Sequence, residues 1–156
     1  MSGTASNVSV GKPQAAGGVY AGPTSTTAPT SALTTLPQAL KALGYVSDEG
    51  LTNGIETETA DITAWGGDRV LSVRTSRSES FSWTFIESLN EDVLAECYGP
   101  NNVSSAGGEL TVIHNSEELP ARMYVFEILM TGDRVKRIVV PNSKIDEVGD
   151  VVYVDG

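Results

Sequence analysis

Residues 54–67 read GIETETADITAWGG, a segment that indicates a β fold. Its many β-branched residues predict a β-strand that ends at the pair Gly66-Gly67. Because side chains alternate along a strand, one side would carry Ile55, Thr57, Thr59, Asp61, Thr63 and Trp65. The other side would carry Glu56, Glu58, Ala60, Ile62 and Ala64. Neither side is purely apolar, so the strand suits a water-lined surface, a sheet edge or a subunit interface better than an isolated core.

The region around this strand is acidic. Residues 44–67 contain no Lys or Arg but five carboxylates, namely Asp48, Glu49, Glu56, Glu58 and Asp61. Such a cluster can bind a metal ion, act as acid and base, or form a negative surface. A calcium loop of the EF-hand type requires alternating oxygen ligands, a central glycine and a second helix. Here a glycine follows two residues after the first aspartate and a strand comes next, so we expect no metal and interpret the cluster as a negatively charged surface.

The residues that follow the glycine pair continue the strand pattern. Phe81, Trp83 and Phe85 then form an aromatic stripe at period two, opposite small polar residues. Packing in the core is the interpretation that this stripe favours, and a platform for a ligand is the alternative.

One helix is predicted after the stripe. Asn90 is typical of an N-cap, and Gly99-Pro100 ends the helix. Its inward side would carry Val93, Leu94 and Cys97. We interpret Cys97 as a small hydrophobic residue of the core rather than as a nucleophile.

The last third of the chain predicts strands over Leu110–His114, Met123–Met130, Val135–Val140 and Val151–Val154. The turn TGDR at residues 131–134 joins the middle two into a hairpin. The sequence stops shortly after the last of these strands, and we therefore expect the recorded chain to be truncated or partial at its C-terminal end.

The N-terminal part has a different composition. Residues 1–40 contain no Asp or Glu and a single base, Lys12, and residues 1–36 are rich in Gly, Ala, Ser, Thr and Pro. This composition predicts a flexible arm, because it buries too little apolar surface to offset the entropy of ordering. Within the arm, Val19, Tyr20 and Ala21 form a β-prone patch that we expect to dock on a neighbouring subunit.

A single domain over residues 37–156 is expected after the arm. The segment LPQALKALGY, residues 36–45, lies at this boundary, and its leucine spacing predicts one or two helical turns.

Composition excludes several classes of protein. The net charge of −10 argues against adhesion to nucleic acid phosphates or to an anionic membrane. The single cysteine excludes an intrachain disulfide, and neither a secretory signal nor a membrane-spanning run is recognisable. We expect a soluble protein made in the cytoplasm, with no membrane insertion.

No catalytic arrangement is recognisable in the sequence. The single histidine, His114, has no nucleophile motif to serve, and neither a glycine-rich phosphate loop nor zinc-ligand spacing is present. We therefore expect a protein that is not an enzyme and that uses no cofactor.

Five phrases occur in a fixed order over roughly residues 41–153. They are LGYVSDEG (43–50), AWGGD (64–68), SFSWTFIE (80–87), NEDVLAECYG (90–99) and VVPNSKI (139–145). In this order they resemble the major tail protein, or tail tube protein, of long-tailed bacteriophages that infect actinobacteria. The chain departs from that pattern at its end, where the family usually continues with a further long strand.

The resemblance implies a mainly β fold: a β-sandwich of two sheets with one flanking α-helix. It also implies hexameric rings whose inner sheets join into one β-barrel, with stacked rings forming the channel for DNA in the virion tail. Tape-measure, tail-terminator and baseplate proteins would be partners, and assembly would occur in the host cytoplasm. Glu56, Glu58 and Asp61 are then candidates for the channel wall, since carboxylates repel phosphates. The alternative is a monomeric immunoglobulin-like or carbohydrate-binding β-sandwich.

Overall fold

The computed structural model describes residues 3–14 and 17–152, in which strands predominate and one short helix occurs. After a 3-10 turn at Ala5–Asn7, the elements are β1 (Gly11–Pro13), β2 (Val19–Pro23), β3 (Lys41–Ala42), β4 (Thr52–Thr63), β5 (Arg69–Ser82), α1 (Glu91–Tyr98), β6 (Val103–Ala106), β7 (Glu109–Val112), β8 (Arg122–Met130) and β9 (Arg134–Ser143). The prediction of a mainly β chain with one helix is confirmed, and the arrangement is consistent with a β-sandwich.

The chain divides into two compact units. The first, called the body below, comprises residues up to Val46 and from Phe85 onward, and the second, called the hairpin unit, is Ser47–Thr84. The body contains α1 and all strands except β4 and β5, which form the hairpin unit.

Strand β8 is the central strand of the five-stranded sheet in the body. β1 and β2 pair with successive parts of one of its edges, β9 pairs with the other edge, and β3 pairs with β2, all of them antiparallel. The turn between β8 and β9 is the predicted TGDR turn, and the hairpin prediction is confirmed.

Both faces of β8 are covered by parts of the body. On one face, Met123 and Val125 pack with Leu40, and residues of the N-terminal arm, Ala28 and Leu36, pack against this cluster. On the other face Tyr124 and Phe126 are also buried. A strand buried on both faces reads as a continuous apolar run, and MYVFEILM at residues 123–130 has this form.

Helix α1 begins as predicted. The side chain of Asn90 accepts a hydrogen bond from the backbone N–H of Asp92, and two acidic residues occupy the first turn. The acidic residues stabilise the positive end of the helix. Gly99 takes the C-cap position with a positive φ of 99°.

The helical turns predicted for residues 36–45 do not form a helix. The segment makes one turn, in which the N–H of Leu40 donates to the carbonyl of Pro37 (2.9 Å), and then forms β3 against β2. Isolated turns of helix are unfavourable because nucleation is costly, whereas pairing with β2 satisfies backbone groups of both strands. Leu40 and Leu43 are buried by this arrangement.

Two further predictions about strands need correction. The strand predicted over Leu110–His114 is β7, which spans Glu109–Val112 and pairs with a strand that was not predicted, β6. The strand predicted over Val151–Val154 is absent at residues 151 and 152, and its remainder lies outside the described residues.

Candidate assembly surface

The β4–β5 hairpin is long, and its ladder runs from the pair Thr52–Ser82 to the pair Thr63–Arg69. Its turn is closed by two hydrogen bonds, from the N–H of Ala64 to the carbonyl of Asp68 (2.8 Å) and from the N–H of Gly67 to the carbonyl of Ala64 (3.0 Å). Gly66 and Gly67 have φ values of 116° and 94°, which residues with a Cβ rarely adopt. Trp65 lies in this turn and is fully exposed.

Almost every side chain of this hairpin is exposed, on both faces. The exposed set includes large apolar residues, namely Ile55, Ile62, Trp65, Val70, Leu71 and Val73. A two-stranded hairpin in water is at best marginally stable, because it needs a third strand or a packing partner to bury a face. The hairpin unit therefore carries surface that is suited to contact with another molecule.

One face of the hairpin has two different halves. Near its base, Glu56 and Glu58 stand opposite Ser78 and Ser76, and the hydroxyl of Ser76 donates to the carboxylate of Glu58 (3.1 Å). Towards the tip, the same face carries the apolar patch, defined as Ala60, Ile62, Leu71 and Val73, which are cross-strand partners.

A β-bulge separates these two halves. The register shifts between Glu58 and Thr59, so that Thr75 is the extra residue on β5, and its hydroxyl donates to the carbonyl of Glu58 (3.2 Å). A bulge bends the strand and increases its twist. The acidic half and the apolar patch are thereby turned in different directions.

The opposite face of the hairpin is rich in paired charges. Arg69 lies 3.4 Å from Asp61, Arg77 lies 3.4 Å from Glu79, and all four side chains are substantially exposed. Arg74 adds a third base to this face, opposite Thr59. The three acids that the sequence grouped together are thus divided, with Asp61 on the arginine-bearing face and Glu56 and Glu58 on the other.

The residues proposed for the core lie in different environments. Phe81 is at the end of β5, Trp83 and Phe85 follow it, and all three are half-buried. In α1, Val93 is buried, whereas Leu94 and Cys97 are half-buried. Burial, with a smaller contribution from the charge of Glu96, raises the pKa of the Cys97 thiol. A raised pKa disfavours the nucleophilic thiolate.

The patch of Val19, Tyr20 and Ala21 docks on β8 of its own chain. These residues belong to β2 and pair with Phe126, Val125 and Tyr124. Val19 and Ala21 are buried in this sheet. The sequence led us to expect a contact with a neighbouring subunit; exchange of this strand between subunits stays a prediction.

Two ion pairs of β8, each with a buried carboxylate, were not predicted from the sequence. Arg122 donates to the carboxylate of Glu96 (2.6 and 3.0 Å), which also accepts a bond from the hydroxyl of Tyr124 (2.8 Å). Burial, together with the negative charge of Glu96, raises the pKa of Tyr124, so its hydroxyl stays a donor. A charged residue next to or within an apolar strand is a signal for such a pair. A charge that is buried with the strand requires a partner of opposite charge.

The second pair joins β8, β9 and the N-terminal arm. Glu127 and Arg137 are cross-strand neighbours whose side chains are only 6% and 7% exposed, and they form an ion pair. Arg137 also donates to the carbonyl of Ser31 (2.6 Å), within the arm. This arginine therefore holds part of the arm on the sheet.

No metal or membrane feature is found in the part of the chain that the structure describes. Within it, no group of three or more His, Cys, Asp or Glu side chains is placed to hold a metal ion. Among residues 3–14 and 17–152, no helix combines the length and the apolar character that crossing a membrane requires.

A family model described as phage tail tube protein matches residues 4–153. The chain belongs to this family. No curated protein and no solved structure matches it.

Membership in the family gives the coarse function. The chain is a structural subunit of a phage tail tube, its place is the virion tail, and the family implies self-association into a tube. A structural family of this kind suggests a role without enzymatic activity. The exposed hairpin offers side chains that suit such self-association.

Proposed function

We propose that copies of this chain form hexameric rings that stack into the tail tube of a long-tailed phage of actinobacteria, and that DNA passes through the channel during ejection. The observation that carries the proposal is the β4–β5 hairpin, whose side chains are exposed on both faces. Such a hairpin becomes stable only when further strands pair with it or side chains cover one of its faces. Inner sheets that join into one barrel would supply those strands and remove the open edges.

The face with Glu56 and Glu58 is the proposed channel wall. Its base half offers two carboxylates and the hydroxyls of Ser76, Ser78 and Ser80, without a Lys or Arg. Each base that meets a phosphate adds affinity through counterion release, which would retard the passage of DNA. The opposite face carries Arg69, Arg74 and Arg77 and is the poorer wall for the same reason, so Asp61 is left out of the channel in this proposal.

The apolar patch is the proposed contact with a second copy. Beyond the bulge, Ala60, Ile62, Leu71 and Val73 would be covered by a neighbouring subunit, since their exposure to water is unfavourable. The bulge supports this division, because it lets the base half of the hairpin meet the channel while the tip half turns towards a neighbour.

Other partners follow from the tube itself. Tape-measure, tail-terminator and baseplate proteins would contact the inside and the two ends of the tube, and assembly would occur in the host cytoplasm.

The proposal is tested by size-exclusion chromatography and negative-stain microscopy of three purified chains. The wild type is expected to form rings or tubes. Ile62→Asp with Leu71→Asp, which places charges in the apolar patch, is expected to abolish them. The matched control, Thr59→Asp with Ser72→Asp on the opposite face, is expected to assemble. A wild-type chain that remains monomeric at high concentration would contradict the tube and favour a monomeric binding module.

A further inference from the structure

Trp65 is the most exposed large apolar side chain of the described residues, and it lies at the tip of the hairpin beside two glycines with positive φ. A single exposed apolar residue is ordinary on a protein surface. This one lies at the same end of the hairpin as the apolar patch, and its indole would bury 150–250 Å² in a suitable pocket, an amount typical of the anchors of protein interfaces.

The body contains a pocket of about 260 Å³. Its lining combines charged residues, namely Lys41, Asp92, Glu96 and Arg122, with apolar ones that include Leu43, Ala95, Pro100, Leu119, Pro120 and Ile145. An apolar cavity of about 150 Å³ accommodates benzene, so the larger volume here suits a bicyclic ring. Proline and aromatic rings also pack well on one another, as they do when aromatic grooves bind proline-rich segments.

Two charged residues of the lining suit an indole. Lys41 and Asp92 form an exposed ion pair, 3.1 Å apart. The carboxylate of Asp92 is an acceptor for the indole N–H, which requires a partner when it is buried. The ammonium group of Lys41 can lie over the ring face, and it attracts the carboxylate of Asp68, which is close to Trp65 in the turn.

We propose that Trp65 of one copy inserts into this body pocket of a second copy, an inference that rests on the proposed tube and names one of its contacts. The tip and the pocket are different surfaces of the same chain. A contact between different surfaces is heterologous, and it generates closed rings or open stacks rather than a simple dimer. A projecting apolar side chain that meets a pocket elsewhere on the same molecule is the arrangement that produces filaments.

The test compares assembly of the full-length wild type, Trp65→Ala, Ala95→Phe and a control, Leu33→Ala. Leu33 is an exposed leucine (88%) that belongs neither to the hairpin nor to the pocket lining, so Leu33→Ala is expected to leave assembly unchanged. Trp65→Ala removes the anchor and Ala95→Phe fills the pocket. Each is expected to raise the concentration needed for tubes at least tenfold. Tubes from Trp65→Ala at the wild-type concentration would overturn the inference but leave the proposed tube intact, whereas a monomeric wild type would overturn both.

Mixing the variants gives a second readout. Ala95→Phe keeps its tip and Trp65→Ala keeps its pocket. At concentrations at which neither variant forms tubes alone, their mixture is therefore expected to form one-to-one complexes. No complex in the mixture would count against the insertion.

A fluorescence measurement does not depend on how the pocket variant folds. In Trp83→Phe the only remaining indole is Trp65, and its emission is expected to shift to shorter wavelength when tubes form. An unchanged emission maximum in tubes would overturn the inference.

Discussion

The antiparallel strands of the two units differ in burial. In the body, β8 pairs on both edges and is buried on both faces, so that Met123 to Glu127 are all buried. In the hairpin unit, β4 and β5 pair only with each other, and nearly all their side chains are exposed. The buried strand stabilises the subunit. The exposed hairpin leaves surface that other copies of the chain can cover.

This difference in burial follows from the amino-acid composition of the strands. β8 is a largely apolar strand whose two charged residues, Arg122 at its start and Glu127 within it, have partners in Glu96 and Arg137. β4 and β5 alternate Thr, Ser and charged residues with a few aliphatic ones. Such strands can bury a face only against a partner of similar mixed character, which is a property of interfaces rather than of domain cores.

Removal of one apolar side chain from each unit is expected to have very different effects on stability. Phe126 in β8 is 2% exposed, whereas Ile62 in β4 is 55% exposed. Phe126→Ala is expected to lower the free energy of unfolding by about 3–5 kcal/mol, the usual range for a buried aromatic residue. Ile62→Ala is expected to change it by less than about 0.5 kcal/mol in the unassembled subunit. Urea denaturation followed by circular dichroism measures both, and equal effects would show that the hairpin has a core of its own.

A second prediction compares a buried ion pair with an exposed one. Arg137→Met leaves the carboxylate of Glu127 buried without its partner, and a loss of about 3 kcal/mol is expected. Arg69→Met removes the exposed partner of Asp61 and is expected to cost less than about 1 kcal/mol.

Hydrogen exchange adds a local readout to this prediction. Arg137 also holds the carbonyl of Ser31, so exchange in residues 24–36 is expected to accelerate in Arg137→Met and not in Arg69→Met. Unchanged protection of these residues would contradict the role of Arg137 in holding the arm.

The arm is also where sequence reasoning reached its limit. Composition indicated that residues 1–36 cannot fold alone, but it could not reveal that β8 offers an edge and a face to them. The pairing of Val19–Pro23 with Arg122–Phe126 joins parts of the chain about a hundred residues apart. Such long-range pairing has no local signature. The two-residue strand β3 was missed for the same reason, because its only cause is the neighbouring edge of β2.

Local signals were read more successfully. The alternation in residues 54–65 predicted β4, the Asn90 cap predicted the start of α1, and TGDR predicted the β8–β9 turn. The pair Gly107-Gly108, with φ values of 60° and 83°, is also a turn signal. It was not used in the prediction, and β6, which precedes this turn, was therefore not predicted. The prediction that Asp61 acts together with Glu56 and Glu58 did not take account of the alternation of side chains along a strand. This alternation places Asp61 on the opposite face.

A third and smaller effect concerns pH and the body alone. The carboxylate of Glu87 accepts bonds from the side chain of Asn90 (2.8 Å) and from the N–H of Tyr45 (2.7 Å), and these bonds lower its pKa. The pKa of Glu87 in the folded state lies below the ordinary value of 4.5. The ionised carboxylate therefore stabilises the folded state at pH values above 4.5. This stabilisation is lost as the pH falls through the lowered pKa of the folded state.

Glu87→Gln should therefore reduce stability at pH 7 and have little effect near pH 2. Denaturation midpoints of the variant and the wild type across this range provide the measurement. A difference that persists unchanged at low pH would mean that the carboxylate charge is not what these bonds stabilise.

The smallest expected effect on folding belongs to the two faces of the hairpin, and it tests the mechanism most directly. Glu56→Lys with Glu58→Lys is compared with Asp61→Lys with Glu79→Lys, which changes the net charge equally on the opposite face. All four side chains are exposed, so both variants should fold with stabilities within about 1 kcal/mol of the wild type. In assembled particles, only the first variant would place lysines against the phosphates of passing DNA. Its ejection rate should fall at low ionic strength and recover as salt screens the attraction. Slower ejection from the second variant alone would assign the channel to the arginine-bearing face, and failed assembly of either would assign that face to a subunit contact.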